Sequence, residues 1–438
     1  MRKQYFTLLV FVAVLSFTSF SLVGAQDPVQ ISFWHAMSGG RGDVVQGLVD
    51  SFNAANPDVQ IVAEFTGSYA DTLTKALAAV RAGEPPHMVQ VYEVGTRSML
   101  DSGAIVPIAE VSGGEFDPSL FVAPIVNYYS VGNQLSCMPF NSSTAMLYYN
   151  KDVFAAAGLD PEVPPTTFNE VYEMGKQIVE SGAAPGGISF GWPAWIMEQM
   201  FAKHDQMLAN EGNGRDALAT ETYFNSEFGV QVLTEWQKWA QDGVLIYGGR
   251  EYSANDPFLA GEFAMLAQST SSLGGIQNNA AFNLGTAFLP RLEGYEDAIG
   301  NNVIGGGCLW TMAGFSAEEY NAIWRFYQFL AQDEQAIIWH KGTGYFPVTN
   351  AAFDALDAEG WFTENPNFLT AFDQILKGEN TVAASGVILG DFVTIRDIIG
   401  AAIEEAVVNG MDPREALDAA NEEINQLLAD YASLVESD

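Results

Sequence analysis

Positive charge is what this chain has least of. Its 438 residues carry 18 lysines and arginines against 54 aspartates and glutamates, a formal net charge of −36. Such a surface repels nucleic acid and anionic lipid, so neither is expected as a partner. The acidic excess reads most simply as a solubility adaptation, but it sets a condition on any anionic ligand. Long-range steering has the wrong sign, and salt hides such fields beyond a Debye length of about 8 Å, so donors in direct contact have to do the binding.

Other shortages narrow the choice further. Two cysteines, Cys137 and Cys308, are too few to build a fold on disulfides. The four histidines, His35, His87, His204 and His340, are scattered without paired metal-ligand spacing, so no metal or cofactor is expected and each reads as structural. There is no Gly-Lys-Ser/Thr phosphate loop, and Gly40-Arg-Gly42 is too little for a dinucleotide fingerprint. Internal repeats, low-complexity tracts and long linkers are missing as well. What is abundant is apolar: 48% of residues are hydrophobic, enough for a globular chain of two or three compact units.

The N-terminus reads as an export signal over residues 1–25. Arg2 and Lys3 precede an apolar run over residues 5–17, and Val23-Gly24-Ala25 offers small residues for cleavage before Gln26. The rival is an uncleaved anchor, against which stand the shortness of the run and its Ser and Thr residues. No later segment is long and apolar enough to span a bilayer.

Downstream, residues 31–35, 59–65 and 87–92 read as strands. Between them a Gly-rich turn at 39–42 leads into a helix ending near Asn56, and a second helix spans 69–82. This alternation predicts a parallel sheet with right-handed crossovers, whose ligands sit beyond the carboxyl ends of the strands. Tyr69 and Glu93 fall just past such ends. A second α/β region opens at Thr167, where Val232, Leu233, Trp236 and Trp239 at helical spacing read as core.

Gly187-Ile-Ser189-Phe-Gly191 matches the nucleophile-elbow pattern, with His204 or His340 as a distant base. The elbow needs a buried strand running into it, whereas residues 183–187, Ala-Ala-Pro-Gly-Gly, read as a turn. A hydrolase is therefore not expected, and no residue is assigned a catalytic role.

Arg396 is the most informative charge. On a predicted helix over residues 391–409 it shares an apolar face with Phe392, Ile399 and Ile403. A buried guanidinium needs an anion, either a ligand such as phosphate or a carboxylate of the protein. Ser269, at a strand end ahead of a helix start, reads equally as anion donor or as plain cap. Gly306 reads as a close approach of backbone to ligand or as a strand kink, and Tyr345 as a phenol in a cleft or as core.

The chain turns on residues 137–152, two extended pieces separated by Asn141, Ser142, Ser143 and Thr144. These residues favour side-chain bonding to backbone over a ladder, so a bend is predicted there. Pro139-Phe-Asn-Ser-Ser-Thr144 followed by Leu147-Tyr-Tyr-Asn-Lys-Asp152 resembles the first interlobe crossover of the extracytoplasmic solute-binding proteins of ABC importers. Within these it is similar to the sn-glycerol-3-phosphate-binding branch. Gln90-Val-Tyr-Glu93, Gly67-Ser-Tyr69, Ile304-Gly-Gly306, Thr343-Gly-Tyr345 and the helix bearing Arg396 extend the resemblance over essentially the whole chain.

The resemblance implies a two-lobed periplasmic-binding-protein fold, two α/β sandwich domains joined by hinge crossovers. Residues 26–137 with 310–345 would form one lobe, and 138–309 with 346–438 the other. It implies an exported, periplasmic monomer without catalytic activity. Such a protein captures glycerol-3-phosphate or a glycerophosphodiester and passes it to permease subunits coupled to a cytoplasmic ATPase. Ser143, Ser269, Gly306, Tyr345 and Arg396 would hold the phosphate, Glu93 would accept from glycerol hydroxyls, and Tyr69 would close that end. Trp192 and Trp195 resemble an aromatic wall, which also suits an oligosaccharide-binding member. Cys137 and Cys308 would lie on neighbouring crossover strands, either bonded or as two buried thiols.

Overall fold

The computed structural model describes residues 27–132 and 134–435, so the expected export signal lies outside the described residues. Two β-sheets dominate. In the first, Val59–Phe65, Val29–His35 and Met88–Tyr92 run parallel, and Gly305–Met312 joins antiparallel to Met88–Tyr92. Alternation places Ile31, Phe33 and His35 in the core, while every residue of Met88–Tyr92 is buried, as a central strand covered on both faces requires. The second sheet runs Leu284–Ala287, Ala145–Asn150, Phe263–Ser269, Gly186–Phe190.

Local chemistry sets the helix ends. Thr167 and Glu170 close a capping box ahead of helix Phe168–Ser181, and Gly182 ends it in the left-handed conformation that glycine adopts without a Cβ penalty. Val171 and Ile178 then face the core. The first helix begins at Gly39 and runs to Ala55, so the glycines expected as a turn form its opening turns. Helix Phe392–Val407 is slightly shorter than the predicted 391–409. Among the described residues no helix is long and apolar enough to cross a membrane.

The chain changes sheet at Thr144 and between Ala287 and Gly305, and these passages touch one another and the segment around Phe346. The Thr144 hydroxyl donates to the Val303 carbonyl at 3.1 Å, Thr270 N–H to the Thr144 carbonyl at 2.9 Å, and Phe346 N–H to the Ser142 carbonyl at 2.8 Å. The changes of sheet fall at Thr144 and just ahead of Gly305, not at the expected 137/138 and 309/310. The ladder between Met138–Ser143 and residues 305–309 keeps both strands in the first sheet up to the hinge. The predicted bend is likewise confined to Thr144: Asn141, Ser142 and Ser143 stay in the ladder, because the strand facing them is Gly305-Gly306-Gly307, which has no side chains to crowd them. A Cys137–Cys308 disulfide, Cα atoms 5.8 Å apart, ties these two strands together.

One further expectation is corrected. Residues Gly186–Phe190 are a buried strand leading to helix Pro193–Lys203, so the strand-turn-helix context judged missing for the elbow is present. The rest of the machinery is not. Ser189 lies inside the strand, fully buried, with its hydroxyl unpartnered. His204 bonds to the Met200 carbonyl through Nδ1 and to Leu292 N–H through Nε2, and His340 Nδ1 bonds to the Tyr345 carbonyl.

Candidate functional site

The residues singled out from the sequence, Tyr69, Glu93, Ser143, Trp192, Trp195, Ser269, Gly306, Tyr345 and Arg396, all line one narrow pocket between the lobes. Tyr92, Tyr252, Ser271 and Gly305 complete the lining. The pocket has two chemically distinct ends.

At the charged end Arg396 is held by two carboxylates. Nε and Nη2 donate to the two Glu198 oxygens, each at 2.7 Å, and Nη1 donates to Glu93 at 2.7 Å. Glu198 belongs to helix Pro193–Lys203 in the same lobe as Arg396, whereas Glu93 stands on the short turn after strand Met88–Tyr92 of the opposite lobe. The side chains are 11%, 6% and 6% exposed, so this triad is almost dry. Burial pushes the Glu198 carboxyl above the usual carboxylate range, with Arg396 pulling the other way. Burial also opposes the charge on Arg396, but Glu198 and Glu93 more than offset it and raise its pKa.

The structure shows the carboxylate reading of Arg396. It faces the cleft, and protein carboxylates already neutralise it. Glu93, expected to accept from hydroxyls, accepts from Arg396 here. Glu198 was not anticipated. Its signal was available as the single carboxylate in an eleven-residue helix buried along its whole length. Both helices that build this end start behind a non-glycine residue with positive φ, Trp192 at 56° and Asp391 at 45°. Such strain costs about 1–3 kcal/mol and is held by its surroundings. At Trp192, Pro193 follows at the first helical position and the backbone N–H donates to the Glu251 carbonyl.

The other end is neutral. Ser269 caps the turn Thr270–Ser272, its hydroxyl accepting from Ser271 N–H and bonding Ser271 Oγ at 2.9 Å, so the cap reading and the pocket position coexist. Tyr345 is buried against Trp339, and its hydroxyl meets that of Tyr69 at 2.9 Å. Tyr69 stacks on Tyr92 and accepts from Asn141 Nδ2 at 2.8 Å, and Gln90 Nε2 in turn donates to Asn141 Oδ1 at 2.7 Å. This relay fixes the phenols and was not read from the sequence, although Gln90 and Asn141 stand inside the quoted motifs. Burial and the neighbouring Tyr345 push the Tyr69 phenol well up, keeping it neutral.

Gly306 has φ of 95°, and a Cβ there would lie 1.8 Å from the Asn141 carbonyl oxygen, so any side chain would force the backbone to shift. A Cβ at Gly305 would strike the Trp195 ring at 2.6 Å. The ring of Trp192 meets Tyr252 edge-on at 5.2 Å, while the Trp195 indole N–H has no partner. Among the described residues no group of His, Cys, Asp and Glu is arranged to hold a metal ion.

Comparison with known proteins gives the family and agrees with the fold. Residues 47–370 match the family model described as bacterial extracellular solute-binding protein. The chain is 38% identical over 420 residues to the sn-glycerol-3-phosphate-binding periplasmic protein UgpB of Escherichia coli K12, covering 94% of this chain and 95% of that one. In fold it is similar to UgpB from Mycobacterium tuberculosis in complex with glycerophosphocholine, with a TM-score of 0.78, 21% identity, and coverage of 93% and 99%. It is also similar to the cyclic alpha-maltosyl-1,6-maltose binding protein of Arthrobacter globiformis, with a TM-score of 0.75, 22% identity, and coverage of 92% and 99%. A two-lobed α/β molecule with a polar pocket at its hinge, this chain belongs to the bacterial extracellular solute-binding protein family.

Proposed function

We propose that the pocket captures sn-glycerol-3-phosphate or a glycerophosphodiester and that the closed protein delivers it to the permease subunits of an ABC importer, working as an exported, periplasmic monomer. The observation that carries this reading is the convergence of Ser143, Ser269, Gly306 and Tyr345 with the Arg396–Glu93 pair in one interlobe pocket. The E. coli relative, 38% identical, supports it by its name.

The division of labour follows from which contacts cross between lobes. Glu198 grips Arg396 from within its own lobe and keeps its hold when the lobes part. The Nη1–Glu93 bond spans the cleft and is released on opening. Opening then frees one guanidinium face for a phosphate oxygen and one carboxylate for glycerol hydroxyls, while the serine and tyrosine hydroxyls donate to the remaining phosphate oxygens. Closure removes water, which strengthens each hydrogen bond to charge.

Titration calorimetry with glycerol-3-phosphate, glycerophosphocholine and maltose tests the reading. Binding of either phosphate compound with no heat from maltose is the expected result. Binding of maltose alone would replace this reading with an oligosaccharide carrier, for which Trp192 and Trp195 supply the stacking faces.

A further inference from the structure

Among the described residues three arginines line the spaces of the cleft; Arg396 and Arg250 are matched by carboxylates, and the third is not. Taken with both glutamates ionised, Glu93, Glu198 and Arg396 sum to one negative charge. A phosphomonoester brings about 1.5 to 2 more negative charges at neutral pH. Burying both in a dry cleft without another cation is unfavourable.

The unmatched arginine is Arg41, in the opening of helix Gly39–Ala55 of the first lobe. Its Nη1 donates to the Tyr252 hydroxyl of the second lobe at 3.1 Å, and the guanidinium lies 4.8 Å from the centre of the same ring. Among the described residues it has no carboxylate within ion-pair distance. Glu251 lines the same outer space as Arg41 but does not pair with it. That space adjoins the pocket through Tyr69, Trp192 and Tyr252.

From Tyr252 the hydrogen bonds continue inward, to Ser271 Oγ at 3.2 Å and from there to Ser269 Oγ at 2.9 Å. Arg41 is therefore three hydrogen bonds from the hydroxyl of Ser269, expected to hold phosphate, and it arrives from the opposite lobe. Burial works against its charge, while the hydrogen bond to the Tyr252 hydroxyl favours it.

We propose that Arg41 is a positioning residue for the ligand's charge: from beside the pocket, through Tyr252 and Ser271, its guanidinium balances the second negative charge of a phosphomonoester seated at Ser269 and Ser271. This inference rests on the proposed glycerol phosphate site and sharpens it, because the residue then selects dianionic monoesters over monoanionic diesters. The competing role is a charge-blind latch, in which the Arg41–Tyr252 bond only holds the lobes together.

Titration calorimetry of the full-length protein with glycerol-3-phosphate and glycerophosphocholine, at pH about 7.5 and about 5, separates the two. The monoester loses its second charge near pH 6, whereas the diester stays monoanionic throughout. Glu93, Glu198, Glu251 and the phenols of Tyr69, Tyr252 and Tyr345 surround both ligands alike, so the diester controls for their titration. Arg41→Met is expected to weaken glycerol-3-phosphate about tenfold or more at the higher pH, with a loss of about threefold or less at the lower pH and for glycerophosphocholine at both. Arg41→Lys should restore much of the monoester preference, and Tyr252→Phe should leave the ratio between the ligands intact. Equal weakening of both ligands by Arg41→Met, or affinities unchanged within about twofold for this variant, overturns the proposal. Wild-type protein that binds neither ligand removes the function itself, and this inference with it.

Discussion

At one end of the cleft three charge-assisted bonds of 2.7 Å tie Arg396 to glutamates from two other elements. At the other, neutral hydroxyls and a glycine backbone form the polar surface, and the phenols are placed by a relay of side chains rather than by charge. The charged end is buried and holds its form only while Arg396 offsets its two carboxylates. The hydroxyl end depends on backbone fit. The two ends should therefore fail differently when disturbed.

The largest expected effect is at the charged end. Arg396→Met leaves two buried carboxylates facing each other and is expected to cost about 3–5 kcal/mol of stability in urea denaturation, along with ligand binding. Adding Glu198→Gln should recover a large part of the stability without restoring binding, since the uncompensated charge is removed while the donor stays lost. If Arg396→Met melts like the wild type, the triad does not hold the charged end together.

Gly306→Ala should be milder, about 1–3 kcal/mol, because the new methyl meets the Asn141 carbonyl in a strand pinned by the Cys137–Cys308 bond. Its expected signature is weakened phosphate binding with the charged end intact. A variant with full stability and full affinity would show that backbone fit does not govern the hydroxyl end.

The ends also differed in how readily they could be read from sequence. The hydroxyl end is written in short contiguous stretches, Asn141 to Thr144, Ser269 to Ser272 and Gly305 to Gly307, where small polar residues interrupt apolar strands. Arg396 stands out as a cation on an apolar helix face, but its own-lobe partner Glu198 lies 198 positions away. Helical periodicity says that such a charge needs a counter-ion without saying which one. The same limit hid Arg41, whose partner Tyr252 is 211 positions distant and sits in a loop.

Element type was legible wherever apolar spacing and flanking turn residues agreed, as in helix Tyr69–Ala82, which has its expected bounds. Where glycines stood for turns the reading failed. Gly39 to Gly42 open a helix, and Gly186 and Gly187 lie in a strand. In each case packing around a missing side chain overrode the local preference of glycine for turns.

The central claim is tested most directly by a crystal structure of the protein with glycerol-3-phosphate. The account predicts phosphate oxygens within about 3 Å of the Ser143, Ser269 and Tyr345 hydroxyls, with Glu198 still bound to Arg396 through both oxygens. A ligand seated outside the interlobe pocket, or a phosphate that has displaced Glu198 and left the serines unused, would contradict it.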